Sequence, residues 1–166
     1  MSTQSLERLP DDAHVWLFGA AAPLGPEEQG RIRTAIEEFA GGWQSHGEDV
    51  GAAIDVIEDR FLLVAVDPAV ARGGCGIDKL YRRVREMRAS GIDLLDASLV
   101  FWNEDGAFVS DSRAGFRRRA EIGEVGPDTI VADLTVDTLG GVRSSAWKRR
   151  AADSWHAAAF DLAKVH

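Results

Sequence analysis

The six residues Phe61-Leu62-Leu63-Val64-Ala65-Val66 are apolar at every position. A strand with one wet face alternates; an unbroken run of this length, closed by Asp67-Pro68, reads as a central strand covered on at least one face. The segment before it, Ala52 to Glu58, has mixed polarity and reads as a strand near a sheet edge. Only Glu58-Asp59-Arg60 separates the two, so they form a hairpin.

The remaining elements follow from that hairpin. His14 to Phe18 is an apolar strand. Pro26-Glu27-Glu28 opens a helix over 26–43, because proline suits the first turn and acids suit the positive end of the helix dipole. Trp43 to Asp49 is a polar turn. Ile77, Leu80, Tyr81, Val84 and Met87 share one face of a second helix over 77–90, which Gly91 stops. Leu99 to Trp102 is a strand, and the turn Asn103-Glu104-Asp105-Gly106 pairs it back on Ala107 to Val109. A basic helix over 112–121, a strand in Ile130–Val136, a turn at Leu139 to Val142 and a last helix carrying Trp155, Ala158, Ala159 and Leu162 complete the chain.

The core order β-α-β-β-α-β predicts an α+β protein with a ferredoxin-like antiparallel sheet and both helices on one face. The alternative is an α/β three-layer arrangement. One domain is expected over 1–166, with a core at about 13–110 and residues 111–166 packed on it as an extension.

Composition narrows the function. The net charge of -8 and pI near 5.0 argue against nucleic acid and anionic membrane as partners. No apolar run approaches the roughly 20 residues that span a bilayer. The polar start MSTQSLERLPDD is no secretory signal, and a lone cysteine, Cys75, excludes an intrachain disulfide, so a cytoplasmic setting is expected. Neither GxxxxGK[ST] nor GxGxxG occurs, and no cofactor is expected. The arginine clusters at 82–85, 117–119 and 148–150 read as solvated faces balanced by nearby acids.

The predicted topology brings the chemistry-bearing residues to one sheet edge: His14, the turn with His46, the loop from Asp67 to Cys75, Asp78 at the start of the second helix, and the Asn103–Asp105 turn. Gly74 and Gly76 flank Cys75 and permit close backbone approach, and helix N–H groups favour a thiolate. In that setting Cys75 is a nucleophilic or redox thiol, His46 or His156 its base, and Asp78 or Asp67 the orienting carboxylate. Trp43 and Trp155, with Gly74 and Gly76, would line a ligand site. Two other readings stay open. In one, Cys75 and the tryptophans pack, and the chain is a non-catalytic module for a small molecule or a protein, self-associating as a homodimer through its sheet. In the other, Cys, His and Asp hold zinc, without CxxC or HExxH spacing.

Trp43-x-x-His46-Gly47, Arg60-Phe61 through Val66-Asp67, Cys75-x-Ile77-Asp78 and Asp153-Ser154-Trp155-His156 together resemble a family of short uncharacterised bacterial proteins often labelled "ABC transporter ATPase". The resemblance covers about 14–160. In the family pattern a serine follows the cysteine; here Gly76 stands there. The chain has no Walker A loop, and Leu139-Gly140-Gly141 is no LSGGQ-type signature, so the resemblance implies a shared site rather than ATPase activity.

Overall fold

A computed structural model describes residues 6–45, 48–49, 51–68 and 75–162. Its elements, in chain order, are β1 (His14–Gly19), α1 (Pro26–Gly41), β2 (Gln44–Ser45), β3 (Glu48–Asp49), β4 (Ala52–Ile57), β5 (Phe61–Val66) and α2 (Cys75–Glu86). There follow β6 (Leu99–Glu104), β7 (Ala107–Ser112), α3 (Arg113–Glu121), β8 (Ile130–Ala132), α4 (Leu139–Arg143), β9 (Lys148–Arg150) and α5 (His156–Ala159).

The protein is α+β, with its main strands in two antiparallel sheets. The first has the order β1-β5-β4. β5 is central and all six of its residues are buried, as an apolar run requires. The β4–β5 turn puts Glu58 at φ 55° and Asp59 at φ 51°, left-handed backbone that closes a tight hairpin. The second sheet has the order β7-β6-β8-β9, and Asp105 (φ 53°) and Gly106 (φ 89°) make its β6–β7 turn.

The layers stack helix, sheet, sheet, helix. Ile32 and Ile36 of α1 and Leu80 and Val84 of α2 cover Phe18, Leu62, Val64 and Val66 on one face of the first sheet. On its other face Val15, Leu17, Phe61 and Leu63 meet Phe101, Phe108 and Trp147 from the second sheet's side. The outer face of the second sheet presents Val100, Trp102 and Val131 to Phe116 of α3 and to Phe160.

The ferredoxin-like closure does not form. It would place β6 beside β1; instead β6 pairs with β7 and β8. The edge of β1 is taken in part by the chain after β8. Val15 N–H donates to the Asp137 carbonyl at 3.0 Å, and Leu139 N–H donates to the Ala13 carbonyl at 2.9 Å. β6 is apolar on both faces, and as a strand of the second sheet it buries both, Phe101 against the first sheet and Val100 and Trp102 against α3.

Several local expectations change. The strand expected over 130–136 stops at Ala132, and within the expected turn Gln44–Ser45 pairs with Glu48–Asp49. Leu139 to Val142 is helical rather than a turn: Thr138 caps α4 through its Oγ, which accepts from Gly141 N–H at 3.1 Å. The basic run Lys148–Arg150 is strand β9.

Candidate functional site

A cavity of about 410 Å³ opens beside β1, where β6 was expected. Its walls come from every layer. Leu17, Phe18 and Gly19 form the β1 side, and Tyr81 of α2 and the Leu94–Ala97 connection close another. Leu134 and Thr135 follow β8, and Arg113, Trp155 and His156 complete the far wall.

The β1 wall is a strand edge. Even-numbered residues of β1 bond toward β5, a pattern that Ala20 N–H continues by donating to the Arg60 carbonyl at 2.8 Å. Odd-numbered residues point their N–H and C=O the other way, as the Val15–Asp137 bond shows. Leu17 and Gly19 therefore turn theirs toward the cavity. Both are buried, and among the described residues no hydrogen bond reaches either N–H from that side.

Arg113 is the first residue of α3, after the Ser112 cap whose Oγ accepts from Gly115 N–H at 3.0 Å. A cation in a helix's first turn opposes the dipole. Its guanidinium lies 5.2 Å from the centroid of the Trp155 ring and makes no ion pair among the described residues. Asp96 lies across the Ser98 backbone from it: Ser98 N–H and Oγ both bond the Asp96 carboxylate, and Arg113 N–H donates to the Ser98 carbonyl at 3.0 Å. The two Ser98 bonds hold the Asp96 carboxyl below the usual carboxylate range. The rim thus carries one fixed cation and one fixed anion that do not bridge to each other.

His156 is fully buried and stacks on Trp155 at 3.8 Å between centroids. Ser154 Oγ lies 3.1 Å from the Ala151 carbonyl and 2.7 Å from His156 Nδ1. Among the described residues Nε2 has no hydrogen-bond partner. Burial pushes the imidazole down to about 4, against a smaller upward pull from Asp133 and a further lowering by Arg113. At neutral pH it is uncharged.

The residues predicted to share one edge are divided. Gly76 is buried against Trp43 on the helix side of the first sheet, and a Cβ there would stand 2.6 Å from the indole Nε1. Among the described residues that Nε1 has no hydrogen-bond partner. His14 and Asp67 flank the same end of the sheet, because His14 pairs with Val66. Asp78 is exposed in the first turn of α2. Cys75 begins α2, but its side chain lies outside the described residues, as do His46 and Gly74. His156 and Trp155 pack instead with Phe116 and Phe160, beyond the second sheet. Both sheets separate them from Trp43 and Gly76. The Asn103–Asp105 turn also leaves that edge, since Phe101 of β6 abuts Gly19 at the opposite end of β1 from His14.

Sequence reasoning missed Arg113, Asp96 and the edge of Leu17 and Gly19. Arg113 had a signal, a basic residue directly after a serine cap. The open edge had none, since it follows from where β6 goes.

Among the described residues no group of three or more His, Cys, Asp or Glu is placed to hold a metal ion, and no helix is long and apolar enough to cross a membrane. No family model, no curated protein and no solved structure matches the chain.

Proposed function

We propose that the protein is a non-catalytic binding module whose ligand is a small molecule held in the cavity beside β1. One observation carries this reading: a space of about 410 Å³, of ordinary size for a ligand site, with mainly apolar walls and a few polar groups on its rim. The cytoplasmic setting inferred from the lone cysteine belongs to the same proposal. The thiol-enzyme and zinc-binding readings rest on the sequence alone.

The test is a screen of small fragments, toluene, phenol and benzoate among them, followed by the methyl NMR signals of Leu17, Leu94 and Leu134. Saturable shifts confined to those methyls are expected. Ala97→Trp, at an exposed position on the cavity wall, should abolish them while leaving the melting temperature in place. Shifts that persist in a folded Ala97→Trp protein, or no shift with any fragment, would overturn the proposal.

A further inference from the structure

We infer that the ligand is a short peptide with apolar side chains and free ends, laid along the open edge of β1. The inference rests on the small-ligand reading above and names the chemistry of that ligand.

Three independent features converge on it. The first is the edge. Leu17 and Gly19 turn a row of N–H and C=O groups toward the cavity, and both residues are buried. Buried backbone groups need partners, and a row of alternating donors and acceptors at strand spacing is matched by another extended backbone. The chain itself shows the mode. Its own segment 137–139 already pairs with the first half of this edge, through Val15, Ala13 and the His14–Thr138 bridge, and stops before Leu17.

The second is charge. Arg113 and Asp96 line the same cavity without bridging to each other. A guanidinium takes a carboxylate in a forked pair, and a carboxylate takes an ammonium. A free peptide carries one of each, at its two ends. A simple fatty or aromatic acid would satisfy Arg113 and leave Asp96 facing its apolar body.

The third is the wall between the charges. Leu17, Leu94, Leu134 and Trp155 offer apolar surface to side chains that alternate outward from the ligand strand. The volume limits the ligand to two or three residues.

The experiment compares three peptides on the full chain by the same methyl signals: Leu-Val-Leu, its analogue N-methylated at the valine nitrogen, and its C-terminal amide. Leu-Val-Leu should bind saturably. N-methylation removes one edge hydrogen bond and should weaken binding about tenfold or more. The amide should weaken it similarly, and Arg113→Gln should erase the preference for carboxylate over amide. Arg113 makes no ion pair among the described residues, so the variant should keep the wild-type fold, checked by its amide spectrum. Equal binding of all three peptides would overturn the inference and leave the small-ligand reading intact. So would peptides that fail where toluene or phenol shifts the Leu94 and Leu134 methyls. If neither peptides nor fragments bind, both readings fall.

Discussion

The backbone of Gly19 runs directly against the ring of Phe101: a Cβ on Gly19 would stand 2.4 Å from Cζ and 2.6 Å from Cε2. Phe101 cannot swing clear, because it is buried and packs edge-on to Phe61 at 5.1 Å. Gly19→Ala should therefore destabilise the protein by about 1–3 kcal/mol in urea unfolding. Phe101→Leu in the same chain should recover part of that loss. A Gly19→Ala variant as stable as the wild type would show that the two sheets do not meet this closely.

His156 gives a pH dependence with a defined sign. Its folded-state value of about 4 lies below the ordinary 6.5, so the unfolded chain takes up the proton first. Above about pH 6.5 the group contributes no slope. Between 6.5 and 4 stability should fall by at most about 3 kcal/mol, and below 4 this contribution is flat. His156→Phe should remove that part of the slope. Urea titrations at pH 7 and pH 5 measure it; equal slopes in the two proteins would refute the assignment.

Phe61 is the hub of the inter-sheet core. It meets Phe101, Phe108 and Trp147 edge-on, with centroids 5.1, 5.3 and 5.2 Å away. Phe61→Ala should cost about 3–5 kcal/mol and loosen Trp147, seen as a red shift of its emission against a background lacking the other tryptophans. An unshifted spectrum with a small loss of stability would place the core elsewhere.

Arg60 is buried, and its guanidinium binds the Ala20 carbonyl at 2.9 Å and Ser110 Oγ at 3.3 Å. Ser110 in turn donates to the Ala21 carbonyl at 2.7 Å. The arginine thus joins the end of β1 to β7 across the two sheets. Arg60→Ala should cost about 2 kcal/mol, and Ser110→Ala no more than about 1 kcal/mol. A reversed order, measured by denaturant midpoints, would show that the hydroxyl rather than the cation joins the sheets.

Strands whose pattern is settled locally were readable. The six apolar residues of β5 could serve only as a covered strand, and Asn103 to Gly106 could serve only as a turn, with Asn103 Oδ1 accepting from Gly106 N–H at 3.1 Å. What could not be read was partnership. β6 has the same composition whether it lies beside β1 or beside β8, and tertiary packing decides between them. α4 hides behind Gly140 and Gly141, residues that disfavour helix, and exists because Thr138 caps it and Gly140 N–H bonds the Asp11 carbonyl at 2.8 Å. β9 is three basic residues whose pairing with Ile130 to Ala132 no propensity announces. The candidate site shares this limit: its walls come from β1, α2, the Leu94–Ala97 connection, α3 and the chain around Trp155, and only the stacking of layers brings them together.

The partial closure of β1 by residues 137–139 has a consequence for how the molecule is made. On a ribosome, β1, β4 and β5 emerge and can pair early, with α1 and α2 covering one face. The other face, with Phe61 and Leu63, receives Phe101 and Phe108 from β6 and β7 but is not closed until Leu139 and Trp147 arrive, and the Ala13–Val15 edge of β1 waits for residues 137–139. For most of its synthesis the nascent chain holds a sticky half-sandwich, and the contacts that seal it span most of the sequence. A ribosome-bound chain stalled before residue 137 should therefore recruit holding chaperones, and one stalled well past Trp147 should release them.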